Sequence, residues 1–370
     1  MRHHRWFRVL ALLLPLLLVA AACGDDDDDE ATAGDEPTET TAASGSDEGE
    51  GEGEGEGGDV SVGLVYDLGG RGDQSFNDAA AAGLDRASEE LGITAEELEP
   101  DEGGENREEL MRLLAEDGNG LIFGVGFLFG DSITAAAPDF PDTTFAIIDS
   151  VVEADNVASL VFAEEQGSFL VGAAAALKSQ TGHVGFIGGV ETDLIKKFEA
   201  GFAAGAKHVD PDIEVTVAYI TQPPDFNGFN DPAKAKEIAA GQYDGGADVI
   251  YHAAGGSGAG LFEAAKEQSE EIGSQVWAIG VDSDQYNIVD DELKPYILTS
   301  MLKKVDVAVF DTIERFANGE EVGGQVTAYD LAAGGVDYAT SGGFVDDIAD
   351  QLEELKQQII DGTIEVPTTP

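Results

Sequence analysis

Val60-Ser-Val-Gly-Leu-Val-Tyr66, followed directly by Asp67-Leu-Gly-Gly-Arg-Gly-Asp-Gln-Ser-Phe-Asn77 and an alanine-rich stretch to Leu91, reads as strand, turn and helix. The first run is short, apolar and rich in β-branched residues; glycines break it, and Gly92 closes a segment with helical spacing. The same alternation of short apolar runs with amphipathic stretches continues along the chain, which is the pattern of a parallel α/β sheet. Further strands are predicted over 120–125, 144–148, 156–161, 183–187, 214–219, 248–253 and 275–281. Helices are predicted over 77–91, 105–116, 164–177, 192–209, 231–243, 260–273, 304–318 and 346–361. From Asp59 onward the chain has about 312 residues, more than one hydrophobic core usually organises, so two lobes are expected.

Open sheets of this kind bind ligands beyond the carboxyl ends of their strands. Asp67 follows the first strand, Asp149 follows TTFAII, and Asp282 follows QVWAIGV. Glycine clusters follow two others, at Gly188-Gly189 and at Gly255-Gly256-Ser257-Gly258. Carboxylates at three strand ends suit the hydroxyls of a polyol or ribose, and glycines let backbone amides approach a ligand. Taken singly, each aspartate has an alternative as a helix cap and each glycine as a turn.

The charge balance narrows the partners. The chain carries a formal charge of −55, and the part beyond Gly58 alone holds 16 basic against 59 acidic residues. That field opposes nucleic acid and anionic ligands and favours a neutral or cationic small ligand. It is also the composition of a protein suited to salty surroundings, where screening is strong.

The N-terminus reads as an export signal. Arg2, Arg5 and Arg8 precede an apolar run of 14 residues, Val9 to Ala22, which is shorter than the roughly 20 residues that span a bilayer. The run ends in Ala20-Ala21-Ala22-Cys23, and Cys23 is the only cysteine. Residues 1–22 are therefore expected to be a signal peptide and Cys23 a lipidation site, with plain secretion as the alternative, since Ala20 stands where a lipobox usually has leucine. Residues 23–58 hold 15 acidic and no basic residues and end in a Gly-Glu repeat, which is the composition of an unfolded tether. Gly53-x-Gly55-x-x-Gly58 fits a dinucleotide-binding spacing, but no hydrophobic strand precedes it.

The block from Asp67 to Asn77 closely resembles the signature of the basic membrane protein (BMP) family, PnrA-like lipoproteins that act as substrate-binding proteins of ABC transporters. The resemblance continues in order through Gly124-Val-Gly-Phe127, Phe145-Ala-Ile-Ile-Asp149, Gln166-Gly-Ser-Phe-Leu-Val-Gly172, Gly185-Phe-Ile-Gly-Gly189, Phe198-x-x-Gly-Phe202, Ala278-Ile-Gly-Val-Asp282 and Thr299-Ser-Met-Leu-Lys-Lys-Val-Asp306. It implies an α/β type I periplasmic-binding-protein fold: two doubly wound parallel-sheet lobes joined by a three-segment hinge, with the ligand closed between them. Crossings are expected near Val157, Ser283 and Gly319, giving lobe I over 59–157 and 284–319 and lobe II over 158–283 and 320–370.

Carried over residue by residue, the resemblance implies a purine nucleoside held between aromatic rings. Phe76 matches the first ring, and Phe229 is the expected second with Phe226 as its competitor. Asp67 and Asn77 match polar contacts to base or sugar, while Asp73 is the alternative loop anchor. Asp282 is the expected ribose ligand, Lys303 the lysine that neutralises the carboxylates or bonds the sugar, and Asp149 and Gly256 complete the set; Lys304 is the surface alternative to Lys303. Two departures, Gln74 in place of the family lysine and Asn106-Arg107 in place of an aromatic, leave open which ligand is preferred.

The implied partners are a small-molecule ligand, the permease and ATPase subunits of an importer, and the membrane through the lipid. No cofactor, metal or nucleic acid is expected, and the protein is expected to be a monomer at the outer face of the cell membrane or the periplasmic side of a membrane. A sensor of the same fold and a receptor for a sugar-like ligand are the alternatives. An enzyme finds little chemistry: beyond the leader there are only His183, His208 and His252, and Gly256-Ser257-Gly258 is followed by Ala259 instead of completing a nucleophile elbow.

Overall fold

The computed structural model describes residues 60–370; the predicted signal peptide, Cys23 and the acidic tether lie outside the described residues. The chain first builds β1 (Ser61–Val65), α1 (Phe76–Leu91), β2 (Thr94–Leu98), α2 (Arg107–Glu116), β3 (Leu121–Gly124), α3 (Gly130–Ala136), β4 (Thr144–Ile148) and β5 (Val157–Phe162). It then builds α4 (Glu164–Lys178), β6 (His183–Val190), α5 (Asp193–Val209), β7 (Glu214–Thr221), α6 (Pro232–Asp244), β8 (Val249–Ala253), α7 (Gly258–Ile272), β9 (Trp277–Asp282) and β10 (Ile297–Lys303). The chain continues with α8 (Val305–Ala317), β11 (Val326–Tyr329), β12 (Val336–Tyr338) and α9 (Ala349–Ile360).

Local chemistry sets these limits. Asp231 accepts a hydrogen bond from the Lys234 amide at the start of α6, where Pro232 supplies a preset φ. Thr192 caps α5 through the Ile195 amide. Gly92 and Gly273 end α1 and α7 in the left-handed conformation. The central strands are apolar because both their faces are covered; Leu64, Phe123, Phe186 and Ile279 are fully buried.

The strands form two sheets, ordered β11-β5-β4-β3-β1-β2 and β12-β10-β9-β8-β6-β7. All neighbours are parallel except β10 and β12. Each sheet is doubly wound, with its switch point beside its first strand, between β1 and β3 in one and between β6 and β8 in the other. The fold is the expected pair of α/β lobes.

The crossings lie elsewhere than expected. β5 belongs to the first sheet and β10 to the second, so the chain crosses at Ala163, at Lys304 and between Tyr329 and Val336, not near Val157, Ser283 and Gly319. Helix α8 packs on α1 of the first lobe. The physical reason is that the chain changes lobe where a strand ends: at Ala163 and Lys304 a strand and its following helix serve different lobes, and at the third crossing β11 hands over directly to β12. Apolar runs mark strands but not the sheet they join. At the crossings, the Ala163 amide donates to Tyr329 O, the Lys304 amide donates to Gly335 O, and the rings of Phe162 and Tyr329 stack 5.2 Å apart.

Two family motifs turn out to be packing devices. A Cβ on Gly172 of α4 would come within 2.1 Å of Phe202 O, and one on Gly201 of α5 within 2.1 Å of Glu165 O. Helices α4 and α5 therefore touch backbone to backbone, which only glycine permits. That contact seats the middle of α5 on α4, and the N-terminal half of α5 supplies Leu194, Ile195 and Phe198 to the space between the lobes.

Candidate functional site

The carboxyl ends of both sheets face one another across a cleft, the place where open parallel sheets take a small ligand. Asp67, Phe76, Asn77 and Asp149 line it from the first lobe, and Phe229, Asp282 and Lys303 from the second. Phe127, Leu194, Ile195 and Phe198 also line it and were not anticipated from sequence. Gly256 is not among the lining residues, whereas its neighbours Ala254 and Gly255 are. A Cβ on Gly256 would stand 3.5 Å from the Cβ of Asp73, so this glycine faces the opposite lobe's loop instead.

The loop between β1 and α1 is held by its own side chains. Asp73 accepts from the amides of Ser75, Asn77 and Asp78 and from Asn77 Nδ2. This is the anchoring alternative considered for it, and it fills the N-terminus of α1 with a carboxylate. Asn77 is occupied in the same way: its Oδ1 accepts from the Asp67 amide at 2.9 Å, and its Nδ2 donates to Asp73 and Leu68 O. Asn77 therefore positions Asp67 while lining the cavity. Asp67 Oδ1 accepts from the Leu68 amide and from Arg107 Nη2 at 3.1 Å. Its Oδ2 lies where a Cβ on Gly126, at φ 107°, would intrude to 2.4 Å.

Arg107, anticipated only as a departure from the family, is the buried counter-ion of Asp67; it also donates to Gly104 O and lies 5.4 Å from the Phe129 ring centre. Burial pushes Asp67 up to about 6, against the pull of Arg107 and the Leu68 amide. Burial likewise pushes Asp282 up to about 6, opposed by Lys303 and by the hydroxyl of Ser75, which donates to its Oδ2 at 2.6 Å.

Lys303 is 2% exposed at the end of β10 and donates to Asp149 Oδ2. Its ammonium stands 3.6 Å from Glu164 Oε1, and Glu164 in turn meets Lys197 at 3.1 Å. Three rings surround the ammonium, Phe76 at 4.9 Å, Phe162 at 5.1 Å and Phe198 at 5.7 Å from their centres. Burial alone would lower Lys303, but Asp149, Glu164 and Asp282 together hold it above the usual lysine value. Burial raises Glu164, with Lys303 opposing. Asp149 Oδ1 is buried with no hydrogen-bond partner. A buried acceptor of this kind invites a donor from a ligand.

The aromatic residues divide their work. Phe229 lines the cavity, and its ring occupies space that a Cβ on Gly189 would enter to 2.5 Å. Phe226, the competitor, instead meets Phe127 of the other lobe edge-on at 6.1 Å. Gly188 and Gly189 do not end a strand, because β6 runs on to Val190; they make room for the rings of Tyr219 and Phe229.

Among the described residues, Gln74, Asp149 and Asp282 are the non-glycine residues with positive φ, at 55°, 68° and 63°. Two of them line the cavity and the third is in the loop beside it. Backbone held in this region costs energy and concentrates at functional sites. The resulting arrangement offers carboxylate acceptors to hydroxyl and N–H donors and flat apolar rings to an unsaturated ring system.

Residues 60–370 match the family described as ABC transporter substrate-binding protein PnrA-like. The ABC transporter nucleoside-binding protein BmpA of Lactococcus lactis subsp. cremoris is 36% identical over 321 residues, which are 84% of this chain and 90% of that protein. Basic membrane protein A of Borreliella burgdorferi is 33% identical over 315 residues, 83% of this chain and 87% of its own length. Among solved structures, an ABC transporter system solute-binding protein from Aeropyrum pernix K1 superposes with a TM-score of 0.72 at 30% identity, covering 84% of this chain and 93% of that one.

Proposed function

Because the chain belongs to the basic membrane protein family of PnrA-like ABC transporter substrate-binding proteins, we propose that it captures a neutral purine nucleoside between its lobes and delivers it to a permease. Proteins of this family are extracytoplasmic receptors and not enzymes. Among the described residues no helix is long and apolar enough to cross a membrane. In this proposal Cys23 carries the lipid and residues 23–58 the tether, both outside the described residues.

The observation that carries the nucleoside reading is the composition of the cavity wall: Phe76 and Phe229 contributed by opposite lobes, together with Asp67, Asp149 and Asp282 at three strand ends. The rings offer stacking to a purine, at about 1–3 kcal/mol per contact. The carboxylates accept from ribose hydroxyls and from base N–H groups, each charge-assisted bond contributing about 1.5–3 kcal/mol. Ligand contacts made from both lobes are what favours the closed form.

Isothermal calorimetry with inosine, guanosine, adenosine, D-ribose and D-arabinose tests this. Inosine or another purine nucleoside binds, and Phe76→Ala and Asp282→Ala each weaken that binding at least about tenfold, while the melting temperature without ligand hardly changes. Binding of the pentoses alone, or unchanged affinity in both variants, overturns the assignment.

The raised carboxyls give capture and folding opposite responses to acid. With folded values of about 6 against an ordinary 3.8, Asp67 and Asp282 bind protons in the folded chain before the unfolded one does. Between roughly pH 4 and 6 they therefore add stability to the ligand-free fold as pH falls, and that contribution is lost as pH rises through 6. Capture needs both ionised to accept hydrogen bonds, so affinity is flat above about pH 7 and declines below 6. Titrations with inosine at pH 7.5 and pH 5 are expected to differ at least about tenfold in affinity. Equal affinities would mean that neither carboxylate meets the ligand ionised.

A further inference from the structure

We propose that Gln285, which lies outside the cavity wall, is a latch that holds the lobes closed and so sets how long the ligand is kept. Its effect on retention rests on the nucleoside reading; its effect on the ligand-free shape does not. Gln285 is 1% exposed in the turn after β9, within the second lobe. Its Nε2 donates at 3.0 Å to the carbonyl of Gln74, in the β1–α1 loop of the first lobe. Two further bonds cross at the same place without touching Gln285: Ser283 Oγ donates to Ser75 O at 3.3 Å, and Ser75 Oγ donates to Asp282 Oδ2.

The amide of Gln285 is oriented for this one purpose. Its Oε1 accepts from the Val281 amide at 2.9 Å, an obligate donor, so Nε2 is the group turned toward the first lobe. The same Oε1 lies 3.0 Å from His252 Nε2, which must therefore carry the proton. Burial lowers His252 to about 4, so the ring stays neutral through the physiological range, and its Nδ1 is buried without a partner. The Gln285 backbone amide donates to Ser300 Oγ at 3.2 Å. Glycine makes the space: a Cβ on Gly258 would meet the His252 ring at 2.0 Å, and one on Gly280 would meet Gln285 Oε1 at 2.5 Å.

On the receiving side the left-handed backbone of Gln74 turns its carbonyl out of its own lobe. The lysine that usually stands there in the family is dispensable for this contact, because only the main chain is used. These bonds form only when the lobes meet, so they raise the closed population before any ligand arrives. Apparent affinity scales with that population.

The test is Gln285→Glu in the full chain. The introduced carboxyl keeps the acceptor that serves Val281 and His252 but sets an oxygen against Gln74 O where a donor stood. Small-angle X-ray scattering without ligand is expected to give a larger radius of gyration than the parent. Stopped-flow measurement with inosine is expected to give dissociation faster by about tenfold with little change in association rate. Should that variant fold poorly, Gln285→Met, which removes the crossing donor at similar volume and adds no charge, shifts both readings the same way, by about threefold in dissociation. Identical ligand-free scattering for parent and either folded variant overturns the latch, whether or not inosine binds. An enlarged ligand-free particle in a protein that ignores inosine upholds the latch and removes the nucleoside reading instead.

Discussion

Replacing Lys303 with methionine is expected to lower the melting temperature by on the order of 10 °C and to abolish capture. Methionine retains much of the apolar stem and can fill the space between Phe76, Phe162 and Phe198, so the change is one of charge far more than of volume. What it leaves behind is Asp149, whose side chain is 5% exposed and whose Oδ2 has lost its cation, beside Glu164, which keeps only Lys197. A buried charge stripped of its partner costs about 3–5 kcal/mol, far more than the pair contributes over an apolar substitute. The sign with pH follows from Glu164, which burial raises and Lys303 holds down: without the lysine it takes up a proton more readily, so its part of the loss is greatest at pH 8 and shrinks as the medium is acidified. Combining Lys303→Met with Asp149→Asn removes the stranded charge and is expected to recover part of the melting temperature. Differential scanning calorimetry decides the matter, and a single variant melting within about 2 °C of the parent at pH 8 would refute it.

The residues of this cluster were unequally legible in the sequence. Asp67, Asp149 and Asp282 stood out because each ends an apolar run, and a parallel sheet carries its ligand at those ends. Phe162 and Phe198 did not, since one closes a buried strand and the other sits on the inner face of a helix; both look like ordinary core until the crossings bring them to Lys303. Glu164 was hidden as the first residue of a helix, where an acid is already favoured by the dipole. The edge strand β2 was missed because its sequence TAEEL has no apolar run, and an edge strand needs none. β10 was missed because its polar Thr299, Ser300 and Lys303 break the apolar run, although each is buried and paired. The crossings were misplaced for a related reason: Ala163 and Lys304 carry no local signal, and only sheet membership identifies them.

The other large effect concerns phosphate. Inosine 5′-monophosphate is expected to bind at least about a hundredfold more weakly than inosine, because bringing like charges together in a desolvated site costs several kcal/mol. The lining residues include Asp67, Asp73, Asp149 and Asp282 against a single cation, Lys303, which is already engaged by Asp149. Arg107 is committed to Asp67 and to Gly104 O. The N-terminus of α1, otherwise a natural seat for an anion, is filled by the carboxylate of Asp73. The outer surface adds a repulsion of its own, since the chain beyond Gly58 is net −43. Salt separates the two contributions: at 1 M the long-range field is screened within about 3 Å, while charges buried inside the cavity are screened much less. Calorimetry with both ligands at 0.15 M and 1 M sodium chloride should therefore leave most of the discrimination intact at high salt. Affinities within tenfold of each other at 0.15 M would refute an anion-excluding cavity. A discrimination present at 0.15 M but gone at 1 M would transfer it from the strand-end aspartates to the surface.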